Sequence, residues 1–105
     1  MLRIRQDMID AMREMRAMVA AIERRDADLG RQLRRAACSV LLNLAEGSGS
    51  FGRVRVARYR TALGSARETV ACLEAAEALG YLGALPDTIL HKLDRVIGTL
   101  VRVSA

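Results

Sequence analysis

Apolar residues in this chain return every three or four positions from near its start almost to its end, and no stretch alternates with a period of two. Only an α-helix brings such positions onto one face. Met8, Met12, Met15, Val19 and Ile22 follow a 4-3-4-3 spacing, and Val56, Tyr59, Leu63, Ala66, Val70 and Leu73 follow 3-4-3-4-3. Ile89, Leu93, Val96, Leu100 and Val103 form a further stripe. The spacing predicts helices over about 4–25, 29–46, 53–79 and 86–103, within one domain of 105 residues. Four helices joined by short connections make an all-α, antiparallel up-and-down four-helix bundle.

Punctuation supports these boundaries. Asp28 suits the N-cap of the second helix, with Gly30 weakening continuity behind it. Gly47, Gly49 and Gly52 are expected to end the second helix. Gly80 suits a left-handed residue closing the third, with Tyr81 as its apolar follower. Pro86 fits the first turn of the fourth. Cys38 and Cys72 lie in Ala/Leu-rich stretches with no C-x-x-C and no histidine nearby, so both are expected to be buried thiols. No apolar run reaches the length of a signal peptide core or a membrane span, which gives the expectation of a soluble, cytoplasmic protein.

The second helix is apolar over an unusually wide arc. Val40, Leu41, Leu42, Leu44 and Ala45 cover roughly 200° of its circumference, where an ordinary surface helix needs little more than about 100°. Either this helix is central in the protomer or it also contacts another chain. Self-association is the expectation.

The rest of that helix is polar: Gln32, Arg35, Ser39, Asn43 and Glu46. The third helix carries a matching row of Arg58, Thr61, Ser65 and Glu68, with Gly64 beside it. Ser39, Asn43, Glu46, Ser65 and Glu68 therefore form either a binding groove or a hydrogen-bonded seam that fixes helix register. Paired carboxylates at Glu46 and Glu68 could do acid–base work. No Glu-x-x-His pair completes a bundle metal site, and the single histidine, His91, falls on the solvent side of the fourth helix. The expectation is a protein without catalysis, metal or cofactor. Residues 47–52 spell G-x-G-x-x-G, but a dinucleotide fingerprint needs a preceding strand, and here a helix precedes it.

Charge is the stronger signal. Sixteen of the 17 basic residues are arginine, Lys92 being the exception, and the net charge is +5. The stretch from Arg31 to Arg67 holds eight arginines and one acid, a local +7, while the segments before and after it are neutral and mildly acidic. Those eight, Arg31, Arg34, Arg35, Arg53, Arg55, Arg58, Arg60 and Arg67, are candidate contacts for an anionic partner, because guanidinium forks suit phosphate. Arg53 and Arg55 also stand at a helix N-terminus, where a positive charge costs about 0.3–1 kcal/mol. Contact with an RNA or DNA backbone would be sequence-independent and salt-sensitive. With only Phe51, Tyr59 and Tyr81 as aromatics, a platform for stacking single-stranded bases is not expected. The competing expectation pairs these arginines with acids of the first and fourth helices or of a neighbouring subunit, as in a scaffold for an acidic protein.

The residues in these rows also spell words. Gln32-Leu33-Arg34-Arg35-Ala36-Ala37-Cys38-Ser39-Val40, then Asn43-Leu44-Ala45-Glu46-Gly47, resembles the signature of the rRNA intervening-sequence protein family, a bacterial four-helix-bundle family. Arg58-Tyr59 followed by Ala62-Leu63-Gly64-Ser65-Ala66-Arg67-Glu68, and Ala78-Leu79-Gly80-Tyr81-Leu82, are similar to its second and third blocks. The resemblance implies an up-and-down bundle assembling as a ring-like homopentamer. It also implies kinship with accessory variability proteins of retroelements, which engage nucleic acid and a reverse transcriptase. Its signature residues fall on Arg35, Ser39, Asn43, Glu46, Gly47, Gly64, Ser65 and Glu68, the same polar rows.

Overall fold

In the computed structural model, which describes residues 2–105 and side chains from Arg3 onward, the chain forms four helices: α1 (Leu2–Arg25), α2 (Ala27–Ser48), α3 (Gly52–Ala78) and α4 (Asp87–Val103). Met1, the first residue of the predicted domain, lies outside the described residues. Each helix contacts its two neighbours in the closed order α1, α2, α3, α4, back to α1. The bundle measures 42 × 24 × 20 Å. Its core draws on the predicted stripes and adds Leu33: Met8, Met15 and Ile22 from α1, Leu33, Val40 and Leu44 from α2, Tyr59, Ala66 and Leu73 from α3, and Ile89, Leu93, Val96 and Leu100 from α4, whereas Val103, the last member of the fourth stripe, is exposed at the helix end.

The helix ends are set by local chemistry. Asp26, not Asp28, caps α2: its carboxylate accepts from Leu29 N at 3.0 Å and from the Tyr81 hydroxyl at 3.3 Å. Asp28 sits in the first helical turn instead. Gly30 does not interrupt α2. A Cβ there would lie 2.3 Å from Glu23 Cγ and 3.2 Å from Glu23 Cα, so glycine lets α1 and α2 meet tightly. Gly47 does not end α2 either; it is buried inside the last turn, where a Cβ would fall 2.4 Å from Tyr59 Cε1. At the end of α3, Gly80 takes φ +80, Gly80 N donates to Glu77 O at 3.0 Å and Tyr81 N to Ala76 O at 2.9 Å. That is the Schellman arrangement expected from the sequence. Pro86 stands one position outside α4, as its N-cap.

The thiols diverge. Cys72 is buried as expected, and burial pushes its thiol up from the ordinary value. Cys38 is exposed, contrary to expectation, because it lies on the outward side of α2. His91 is exposed on α4, as expected.

Two clamps join α1 to α4. Asp7, nearly buried, accepts from Arg95 Nε at 3.1 Å and Nη2 at 3.0 Å. Glu14 accepts from Lys92 and from Thr88 Oγ1, the latter at 2.9 Å. The Arg95 hydrogen bonds hold the Asp7 carboxyl below its ordinary value of 3.8. A carboxylate depressed on folding contributes stability above its unfolded value, and that contribution is lost as pH falls through the folded value. Asp7→Asn should therefore cost about 1–2 kcal/mol at pH 7, the scale of a hydrogen-bonded charge whose partner is half exposed. The difference from wild type should shrink as denaturant titrations move from pH 6 to pH 2. A cost that stayed constant over that range would show that the ion pair is not its source.

Candidate nucleic-acid interface

The polar rows of α2 and α3 meet along one side of the bundle. Ser65 Oγ and Ser39 Oγ are 2.8 Å apart, joined by a hydrogen bond. Asn43 Nδ2 donates to Ser39 O at 2.9 Å and to Ser39 Oγ at 3.2 Å. One turn further on, Arg58 and Glu46 form an ion pair at 2.9 Å with both side chains about half exposed. Among the described residues, no buried side-chain polar atom lacks a partner. Two of these contacts, Ser39–Ser65 and Glu46–Arg58, cross between α2 and α3, while Asn43 bonds back within α2, so this part of the seam is closed on itself. Toward the start of α2 the same seam opens into a groove of about 370 Å³, lined by Gln32, Arg35, Ser39, Ser65 and Glu68. Of the five seam residues, Ser39, Asn43 and Ser65 are bonded together, Glu46 is tied to Arg58, and Glu68 stands exposed at the groove.

The eight arginines do not form one patch. Because α2 and α3 are antiparallel, Arg31, Arg34 and Arg35 lie toward one end of the bundle and Arg53, Arg55 and Arg58 toward the other. The levels of Arg31 and Arg53 differ by roughly 30 Å at 1.5 Å per residue. Three of the eight meet an acid of the same chain: Arg34 pairs with Glu23 at 2.6 Å, Arg58 with Glu46 at 2.9 Å, and Arg31 touches Asp28 only at 4.0 Å, with both side chains well exposed. Arg34 meets an acid of α1, as the competing expectation required; Arg31 and Arg58 pair within α2 and between α2 and α3.

Arg55 has an internal task. Its Nε donates to Gly47 O at 3.1 Å and its Nη2 to Ser48 O at 3.5 Å, and its guanidinium lies 5.6 Å from the Phe51 ring centroid. It closes the C-terminus of α2, which has no basic residue in its own last turn. A cation belongs at such a carbonyl-rich end. The placement that is unfavourable for α3 is thus favourable for α2, and Arg55 gives no sign of an external anion.

The remaining four, Arg35, Arg53, Arg60 and Arg67, have no acid within 4.0 Å among the described residues. Arg53, Arg60 and Arg67 recur every seven residues and are all exposed, on the side of α3 turned away from the core. Ala57, Gly64 and Ala71 alternate with them and are exposed too. Arg60 spends one donor on Ser104 O at 3.0 Å, which ties the row to the end of α4, and its guanidinium keeps further N–H groups for solvent or ligand.

Sequence reasoning missed a second arginine group. Arg3, Arg95 and Arg102 line a groove between α1 and α4, with Asp7 and Asp94 among them. These residues come from opposite ends of the chain, so no local spacing announces them. Among the described residues, no cluster of three or more His, Cys, Asp or Glu side chains is placed to hold a metal ion. No helix among them is long and apolar enough to cross a membrane.

Fold and surface together define a small all-α bundle held by a polar seam, with arginines on its outer faces. The chain belongs to the 23S rRNA-intervening sequence protein family, whose profile matches residues 1–102. It is similar in fold to a crystal structure of a protein of unknown function from the S23 ribosomal protein family of Bacteroides thetaiotaomicron VPI-5482. The TM-score is 0.82 at 15% identity, over 96% of this chain and 97% of that one. No curated protein matches the chain in sequence.

Proposed function

We propose that this protein is a non-enzymatic, homo-oligomeric accessory protein, a ring of five by family resemblance, that contacts the backbone of RNA or DNA through arginine. The observation that carries the reading is the row Arg53, Arg60 and Arg67: three exposed guanidinium groups along one helix face with no acid within 4.0 Å among the described residues. The row is about 21 Å long at 1.5 Å per residue. The small residues between the arginines allow a phosphate backbone to come close to the helix. The name of the family, which refers to insertions in 23S rRNA, supports RNA as the first nucleic acid to test. A reverse transcriptase partner, which the retroelement resemblance implies, belongs to the same proposal. A catalytic role for Glu46 and Glu68 is not favoured, because Glu46 is engaged by Arg58.

Filter binding with mixed-sequence RNA and DNA tests the reading. Retention is expected at 50 mM salt, and it should weaken at least tenfold by 200 mM as counterions compete. No retention in low salt would sink it and would favour the scaffold for an acidic protein partner.

A further inference from the structure

The outward face of α2 is apolar over its middle turns, between the exposed Arg31, Arg34 and Arg35 on one side and Glu46 on the other. Leu42 is 62% exposed, Cys38 one turn before it is exposed, and Leu41 and Ala45 beside them are only half-buried. On its α1 side this face runs into an apolar groove of about 250 Å³ whose lining includes Met12, Val19, Ala37 and Cys38. Scattered exposed apolar residues need no explanation, but contiguous ones rimmed by charge mark contact surfaces. The rim on the other side carries both signs. Arg35 and Glu46 are eleven residues apart, about three helical turns, so they stand on the same edge of the face.

We propose that this face is a two-fold contact with a second copy of the chain, the two α2 helices lying antiparallel about an axis level with Val40. The order of residues argues for a second copy and for that direction. In an antiparallel pair related by a two-fold, residues equally distant from the axis meet, and they meet on the same edge. Cys38 and Leu42 are equidistant from Val40; Arg35 comes level with the partner's Ala45, one residue from Glu46, an offset of about 1.5 Å that its long side chain spans. Leu42 of each copy therefore sits against the partner's Cys38, at the rim of the apolar groove. Arg35 of each copy faces the partner's Glu46, and symmetry makes this happen twice. Arg31 comes opposite the partner's Gly49, so no like charge meets it. A parallel pair would instead bring opposite edges together at one level and set Arg35 beside the partner's Arg34. Arg35 has no acid within 4.0 Å among the described residues of its own chain, and Glu46, though paired with Arg58, keeps about half its side chain open. The inference goes beyond the ring. A ring of five closes through heterologous contacts, whereas this contact is isologous and joins protomers of different rings.

Light scattering without nucleic acid reads the contact. Leu42→Glu should halve the particle mass while circular dichroism stays unchanged, because Leu42 is exposed in the protomer. Arg35→Glu and Glu46→Arg should each halve the mass, and the two together should restore it. Leu42→Cys places a thiol opposite the native Cys38, so mild oxidation should give a covalent dimer on a non-reducing gel. Ala57→Cys, on the outward face of α3, should give none. A drop from ten chains to five in Leu42→Glu supports both contact and ring. A five-chain mass that survives Leu42→Glu, with no covalent dimer from Leu42→Cys, overturns this contact and leaves the ring standing. A single-chain mass for the wild type overturns both.

Discussion

Gly47→Ala is expected to lower the melting temperature by roughly 5–15 °C, whereas Gly64→Ala should raise it by a few degrees. Both glycines are interior to helices, where alanine is ordinarily favoured by about 1 kcal/mol. The difference lies in what a methyl group would meet. At Gly47 it would stand 2.4 Å from Tyr59 Cε1 and 2.7 Å from Cδ1. The ring cannot step aside, because Tyr59 is 4% exposed and part of the core. Overpacking of that kind costs about 1–3 kcal/mol beyond any helix-propensity gain. At Gly64 the added Cβ meets nothing within 4 Å, so the propensity gain of about 0.5–1 kcal/mol is left uncancelled. Differential scanning calorimetry of the two variants checks the sign of each effect. If both variants were stabilised, Tyr59 would not be seated on Gly47 and the junction of α2 with α3 would be wrong. If both were destabilised, Gly64 would be covered by a neighbour.

The same two glycines show what the sequence could and could not reveal. The bundle was legible because core positions on each helix obey one period, and burying them leaves one compact arrangement for four short-looped helices. The Gly80–Tyr81 end of α3 was legible because its hydrogen bonds are local. Gly47 was misread as a break because its glycine serves a contact with Tyr59, twelve positions away and on another helix. The cap of α2 was misplaced by two residues for a similar reason. Asp26 and Asp28 both offer a carboxylate, and the choice of Asp26 goes with a hydrogen bond from Tyr81, fifty-five positions on. The polar seam was found as two helical rows, but only the facing of Ser39 and Ser65 shows that its middle is closed and its α2 end open. Charge counting located the arginine-rich stretch without distinguishing Arg55, which closes α2, or Arg34 and Arg58, which are already paired. The wide apolar arc of α2 divides in the protomer: Val40 and Leu44 enter the core, Leu41 and Ala45 are half-buried, and Leu42 is left in water.

Replacing Arg53, Arg60 and Arg67 together with glutamine should flatten the salt dependence of nucleic-acid binding by about 2–3 in the slope of log K against log salt. Each phosphate contact that releases a counterion adds about 0.9 to that slope on duplex DNA, so three contacts correspond to a change of about 40-fold between 50 and 200 mM salt. The loss should be the same for all sequences, because backbone contacts carry no sequence information. Arg34 and Arg58 provide the internal comparison. Glu23 lies 2.6 Å from one and Glu46 lies 2.9 Å from the other. A phosphate approaching either must displace or share a carboxylate, so Arg34→Gln and Arg58→Gln should each change the slope by well under one. Arg55→Gln separates the two kinds of effect. It should lower thermal stability, since Gly47 O and Ser48 O lose their donor, while leaving the slope near that of wild type. A triple variant with an unchanged slope would remove the outward face of α3 from the interface. The arginines around Arg35, or the Arg3, Arg95 and Arg102 group between α1 and α4, would then be the surfaces to replace next.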